Sequence, residues 1–288
     1  MKLRYLLLLL LLFPFLQLRS QPEGKPAELI ALSYNIRFNN PDDGVNAWPN
    51  RKAAVVSMLQ RQLPSVFGLQ EALSGQVADI EAAFPGYGRV GVGRDDGKEA
   101  GEYSPVFFDK DRFSLRRSGT FWLSQTPAIP GSRGWDAACN RVVSWVILKD
   151  ISTAKTFAFF NTHFDHMGEV ARRNSAILLL HAVDSLAAGI PVIVTGDFNA
   201  IPGSEPIHLI LNPDDPALSL IDSRSLSTNN AGPAFTYTGF KVGGIPGEKI
   251  DYIFIKRISV VKSTSVLDEH TGEYYLSDHL PVVAHLAL

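Results

Sequence analysis

Six short runs of this chain set Asn, Asp, Glu and His beside apolar residues. They are Ser33-Tyr34-Asn35-Ile36, Leu69-Gln70-Glu71, Asn161-Thr162-His163-Phe164-Asp165-His166, Gly196-Asp197-Phe198-Asn199, Lys249-Ile250-Asp251-Tyr252 and Ser277-Asp278-His279-Leu280-Pro281. Carboxylates and imidazoles are costly to bury beside apolar strands unless they are paired or hold a metal. A single run of this kind is readily a structural hydrogen-bond network. Six of one composition are harder to explain that way. Their shared chemistry suits a hard divalent cation with oxygen ligands, such as Mg2+, which takes one or two carboxylates and keeps several waters. Zinc fits less well, because no His-Glu-x-x-His and no Cys/His spacing occurs. Cys139 is the lone cysteine, which excludes an intramolecular disulfide and any Cys-cluster zinc or iron–sulfur site.

The elements that carry these runs are short apolar stretches of strand length: Leu29 to Ile36, Val66 to Leu69, Pro105 to Phe108, Val142 to Leu148, Phe157 to Phe160, Val192 to Thr195, Ile250 to Ile255 and Val282 to Leu286. Many of their residues are β-branched or aromatic, and the chemistry-bearing residues fall at their ends. Two longer stretches predict helices. Arg51 to Leu63 puts Val55, Met58, Leu59 and Leu63 on one face, and Glu169 to Ala188 is rich in Ala and Leu until Gly189-Ile190-Pro191 stops it before a strand. Strands outnumber helices and no repeat or long linker separates them, so the expected fold is α/β or α+β with helices outside the sheets, in one domain.

Composition sets limits. The 288 residues are 45% hydrophobic and 19% charged, with a formal charge of −2, which excludes a disordered chain and a surface built throughout for a polyanion. Lys2 and Arg4, the apolar run Tyr5 to Leu16 and the polar Arg19-Ser20-Gln21-Pro22 follow the order of a secretory signal, too short to span a bilayer comfortably. The expected division is a signal peptide over 1–20 and one domain over 21–288. A retained N-terminal anchor is the alternative. Export without disulfides fits a bacterial periplasm or exterior. Cleavage after Ser20 removes three basic residues and no acidic one, leaving a more acidic protein.

In order and type, these segments resemble the endonuclease/exonuclease/phosphatase superfamily along nearly the whole chain, from Asn35 to Pro281. Gly-Asp-Phe-Asn at 196–199 and Ser-Asp-His at 277–279 are the most specific pieces. The resemblance implies a four-layer α/β/β/α sandwich of two mixed sheets packed face to face, with the active site at one edge. It implies that Glu71 is the principal metal-binding glutamate, with Asn35 and Asp278 as direct or water-mediated partners of Mg2+, Mn2+ being a possible substitute. Asp197 and Asn199 match the pair that positions the attacking water, Asp197 as general base. Asp251 and His279 match a carboxylate–imidazole pair that binds the scissile phosphate or passes a proton. His163 matches a second active-site histidine, Glu102 a residue that orients it, and Arg141 a phosphate-contacting arginine.

Other residues weigh less. Asp165 and His166 directly follow the His163 motif and are either supporting or catalytic. His181, His208, His270 and His285 stand outside the motifs, Arg172 and Arg173 suit a solvated helix face, and core packing explains Trp122 at least as well as substrate contact. Trp135, in a loop rich in Gly, Ser and Arg, is the better candidate for a pocket wall. A nuclease needs a groove that neutralises successive phosphates. The only basic cluster, Lys110 to Arg117, reads most simply as a solvated hairpin. The expected protein is a secreted, Mg2+-dependent phosphoric-ester hydrolase, monomeric and not inserted in the membrane once its leader is cut. Phosphodiesterase stands slightly ahead of phosphomonoesterase, and a non-catalytic binding module that kept the fold is the rival from another class. Nucleic acid is a possible substrate that the net charge does not indicate.

Overall fold

The computed structural model describes residues 28–244 and 247–288; the expected signal segment lies outside them. The first eight strands are β1 (Glu28–Asn35), β2 (Val66–Gln70), β3 (Tyr87–Val90), β4 (Val106–Asp109), β5 (Phe113–Trp122), β6 (Val142–Asp150), β7 (Thr156–His163) and β8 (Val192–Asp197). One sheet runs Asn230–Ala231, Val260–Val266, Val282–Ala287, β1, β2, β4, β3, and the other β5, β6, β7, β8, Asp251–Lys256, Ile221–Asp222. Helices α1 (Trp48–Gln62) and α2 (Ser74–Ala83) cover the first sheet, while α3 (Glu169–Leu186) and α4 (Glu205–Leu211) cover the second. This is the four-layer sandwich expected. No helix among the described residues is long and apolar enough to cross a membrane.

Side chains of a strand alternate between its two faces, so each central strand serves two cores. Leu29, Ala31, Val66, Phe157, Phe159, Ile193, Ile253 and Ile255 fill the gap between the sheets. Leu32, Tyr34, Phe67 and Leu69 face outward with Val55, Met58 and Leu59 of α1, and Ala158, Phe160, Val194 and Phe254 face Ala176, Leu179 and Val183 of α3. The inward series turns polar toward one end. Leu29 and Ala31 continue into Ser33 and Asn35, Val66 into Gly68 and Gln70, Phe157 and Phe159 into Asn161 and His163, Ile193 into Thr195 and Asp197.

Connectivity brings these polar ends together. β1 and β2 are parallel, as are β7 and β8, so their C-terminal ends share an edge. The strand Asp251–Lys256 is antiparallel to β8 and pairs Asp251 with Asp197; Val282–Ala287 is antiparallel to β1 and starts just after Asp278 and His279. C-terminal ends of parallel strands therefore meet N-terminal ends of antiparallel ones.

Sequence reading missed α2, β3, the strand Val260–Val266 and most of β5. Lys110 to Arg117 is not a free hairpin: it leads into the edge strand β5, and Arg112, just before that strand, pairs with Asp150 at 3.0 Å. Trp122 is buried and donates its indole N–H to the Arg94 carbonyl at 2.7 Å, the packing role.

The sheets are tied by a buried polar bridge. Asn161 of β7 donates to the Leu69 and Pro105 carbonyls at 2.7 and 3.0 Å and accepts from Gln70 at 2.6 Å and Thr195 at 3.0 Å. Gly68 leaves room for it, since a Cβ there would lie 2.3 Å from Asn161 Cγ. Gly68→Ala is expected to destabilise the protein by about 1–3 kcal/mol through overpacking and a displaced Asn161. Urea unfolding monitored by circular dichroism checks this; an unchanged midpoint would contradict it.

Candidate active site

At the polar end of the inter-sheet gap lies a pocket of about 390 Å³, lined by Arg37, Phe38, Glu71, Arg94, Glu102, Cys139, Arg141, His163, His166, Asp197, Asn199, Tyr237, Ile250, Asp278 and His279. Asn35 sits beneath it as the hub. Its amide donates to Glu71 Oε1 at 3.0 Å and Asp197 Oδ2 at 2.9 Å and lies 3.4 Å from His279 Nε2. Glu71 follows β2 at φ +61°, a left-handed turn that aims its carboxylate back toward Asn35. Its second oxygen accepts from the Phe38 N–H at 3.2 Å.

The buried ionisable groups set each other's charge. Asp197 is pushed up to about 7, first by burial and next by the Asp251 charge. Burial and the Glu71 charge also raise Asp278. Burial alone would lower His279, but Asp251, 2.8 Å from Nδ1, and Asp197, 3.7 Å from Nε2, hold it well above its ordinary value as an imidazolium. His163 goes the other way: burial, then Arg141 and Arg94, drive it well below its ordinary value, so it is neutral. Its Nε2 accepts from the Asn199 amide at 3.0 Å, which leaves the proton on Nδ1. Two histidines at one site thus carry different charges: His279 has Asp251 at 2.8 Å, whereas His163 has no carboxylate nearer than Asp197 at 3.5 Å and faces Arg141 and Arg94.

The far side is cationic. Glu102 is half-buried and is gripped by both terminal nitrogens of Arg94, at 2.6 and 2.8 Å. It stands 3.9 Å from His163 Nδ1, so the orienting bond expected between them is not closed; the arginine has taken the carboxylate. Arg141 is buried, with Nε 3.4 Å from Asp165 and Nη2 3.0 Å from His166 Nδ1, and its Nη1 has no hydrogen-bond partner. Asp165 resolves into a supporting role. Its oxygens accept from the backbone N–H groups of Ala138, Cys139, Met167 and Gly168, which hold it well below the ordinary carboxylate range. Cys139, Asp165 and His166 lie close enough to suggest a second cation site, but Asp165 is saturated by these bonds and the group works as a loop clamp.

Trp135 requires a correction: it does not line the pocket. Its loop is drawn instead to the start of α3, where Asp136 accepts from the Val170 and Ala171 N–H groups at 3.2 and 2.7 Å and caps the helix. Conversely, Arg37, Phe38, Arg94 and Tyr237 face the pocket without having been singled out. Tyr237 stands edge-on to the His279 ring, centroids 5.2 Å apart. None sits in an apolar run or a recognisable motif, and the positive φ of Arg37 (+55°) has no sequence signal.

Whether the pocket suits a divalent cation can be judged from its donors. Glu71, Asp197 and His279 offer ligand atoms within 4.8 Å of one another. His279 is charged and committed to Asp251, so oxygens dominate: Glu71, Asp278 and Asn35, with Asp197 beside them. The mutual repulsion of Glu71 and Asp278 is what a cation would relieve. The residues fit a hard divalent ion.

The fold and this site define a class. A model of the Endonuclease/Exonuclease/phosphatase family matches residues 32–279, and the chain belongs to that family, whose members hydrolyse phosphoric esters. It is similar to an endonuclease/exonuclease/phosphatase from Bacteroides vulgatus, with 39% identity, TM-score 0.86 and coverage of 91% of this chain and 99% of that one. It is also similar to the mannosyl-6-phosphatase of Bacteroides thetaiotaomicron VPI-5482, with 34% identity, TM-score 0.85 and coverage of 90% and 100%. Two proteins of Acanthamoeba polyphaga mimivirus are 25% identical over 189 and 170 residues, and the match spans 27% and 63% of their length.

The charge assignments predict a bell-shaped pH profile for kcat/KM. As the expected base, Asp197 would work only when ionised, so activity is expected to rise with pH through about 7 before a cation binds; a bound cation favours the carboxylate and moves this limb lower. His279, as the expected acid, works only while protonated, so activity is expected to fall as pH passes its raised pKa. Asp251→Asn is expected to move the alkaline limb to lower pH and to cut kcat by about 10²–10⁴. Initial rates against pH for both proteins check this, and an unmoved alkaline limb in the variant would remove His279 as the acid.

Proposed function

We propose that this chain is a divalent-cation-dependent phosphomonoesterase acting on a small, hydroxyl-rich phosphate ester such as a sugar phosphate. The observation that carries the reading is the two-sided pocket of about 390 Å³, acidic at Glu71, Asp197 and Asp278 and carrying the guanidinium groups of Arg94 and Arg141 opposite. A phosphate dianion is matched by a cation on one side and guanidinium groups on the other. A nucleic acid needs a basic track running beyond the scissile phosphate, and the lining has none. On sequence alone the diester stood slightly ahead; the compact pocket and the likeness to a mannosyl phosphatase reverse that order in this reading.

Mg2+, or Mn2+ in its place, held by Glu71 and Asp278 with Asn35 alongside, would supply charge neutralisation at the phosphoryl oxygens. The remaining work falls to side chains. Asp197, fixed through Asn35 and the Asn199 N–H (2.9 Å to Oδ1), takes the proton of the attacking water. His279, kept charged by Asp251, binds a phosphoryl oxygen and gives its Nε2 proton to the leaving alkoxide. Asn199, held by His163, orients the water, and Arg141 Nη1 receives a phosphate oxygen. Export outside the cytoplasm is part of the proposal and rests on the basic–apolar–polar order of residues 1–22.

Phosphate release is to be compared for mannose 6-phosphate, glucose 6-phosphate, a mononucleotide, bis-p-nitrophenyl phosphate, DNA and sphingomyelin, in Mg2+, in Mn2+ and in EDTA. The hexose monophosphates are expected to give the highest kcat/KM, and EDTA to abolish turnover. A diester preferred over every monoester would overturn the substrate class, and turnover surviving EDTA would overturn the cation dependence.

A further inference from the structure

Arg51 belongs to no part of the pocket lining, yet every nitrogen of its guanidinium is used on segments that bear pocket residues or flank them. It stands on α1 and is 6% exposed. Nε donates to the Asn46 carbonyl at 2.7 Å, Nη2 to the Arg37 carbonyl at 2.8 Å, and Nη1 to the carbonyls of Ile36 and of Leu276, the latter at 3.2 Å. The Trp48 and Phe240 rings lie 5.2 and 5.5 Å from its Cζ. Among the described residues no carboxylate comes within 4.0 Å of it. A buried charge solvated by four main-chain carbonyls rather than by a counter-ion is a costly arrangement with no evident surface role.

Its acceptors explain the arrangement. Ile36 and Arg37 directly follow Asn35, and Leu276 lies two residues before Asp278. The ladder between β1 and Val282–Ala287 ends at the Ser33–Val282 pair, so it does not set the spacing of the segments beyond it. The side chain of Ser277 reaches across once, donating to the Asn35 carbonyl at 2.8 Å. Beside the 3.9 Å Arg37–Asp278 ion pair and the 3.4 Å approach of Asn35 to His279 within the pocket, Arg51 joins the main chains of the two segments directly, through Nη1. Phe240, against its face, extends the reach to the loop whose Thr238 and Gly239 N–H groups bond the Asp278 carbonyl at 2.7 and 3.2 Å.

We propose that Arg51 is a positioning residue of the cation site, a guanidinium crosslink that sets the separation of the Asn35 and Asp278 sides of that site. The inference rests on the cation-dependent reading above. A lysine supplies the same charge but not the planar fork that serves carbonyls on both segments at once.

Mn2+ binding to the full chain, measured by electron paramagnetic resonance and calorimetry, tests it on wild type, Arg51→Lys, Arg51→Met and a control, Leu180→Ala, in the core under α3. Both Arg51 variants are expected to raise the Mn2+ dissociation constant tenfold or more, and Arg51→Lys to recover most of its kcat at saturating Mn2+. Leu180→Ala is expected to lower the melting temperature and leave Mn2+ affinity unchanged. Wild-type affinity in Arg51→Lys would overturn the proposal. So would equal weakening in Leu180→Ala, which would make the effect general destabilisation, or an Arg51→Lys protein that does not fold. A wild-type protein that binds no Mn2+ would overturn the cation-dependent reading itself, and this inference with it.

Discussion

Two face-to-face sheets about 10 Å apart leave a gap in which a polar group must find its partner from the opposite sheet or remain unsatisfied. Everything at the active end follows from that constraint. Asn161 can lie in the gap because it reaches Leu69 and Pro105 across it and because Gly68 withdraws. One layer nearer solvent, Asn35 of one sheet meets Asp197 of the other. The apolar core between the sheets therefore grades into a polar layer bonded across the gap, and that layer is the floor of the pocket. The site is the mouth of the core rather than a cleft cut into the surface.

Much of this was legible because polar residues closing apolar strands are conspicuous. Asn35, Glu71, His163, Asp197, Asn199, Asp251, Asp278 and His279 all stand at such ends, and the structure gathers them around one pocket. The residues that escaped reading lie where position depends on distant chain. Arg94 has meaning only once Glu102 folds back on it, and Tyr237 only once its loop meets His279. Trp135 misled for the same reason: a Gly-flanked aromatic suggests a wall, but the loop's position is set by Asp136 capping α3. In α2, Val77 and Ile80 supply too short an apolar stripe to announce a helix.

Charge in the pocket is arranged by contrast. His163 and His279 occupy equivalent strand-end positions in one buried layer, yet one is neutral and the other charged. The difference traces to Asp251, whose carboxylate meets His279 at 2.8 Å, against Glu102, whose carboxylate is diverted to Arg94. The carboxylates show the same economy. Asp165 is stabilised as an anion by four backbone N–H groups and belongs to the frame, whereas Asp197 and Asp278 are held toward protonation by burial and then by neighbours of like charge. Groups whose charge is fixed build the wall, and groups whose charge is poised face the reaction.

The basic run from Lys110 to Arg117 takes on another meaning from its place at the rim of the second sheet. β5 is the outermost strand there and leaves one side of its backbone unpaired. Such an edge is a template on which a second copy could add a strand. Arg116 and Arg117 are exposed along it, and the register slips between Leu115 and Arg117 in a bulge that twists the ribbon. Charge and distortion together spoil the edge for sheet extension. These arginines are the kind of feature that keeps an open sheet edge from pairing with another copy, at a distance from the pocket residues.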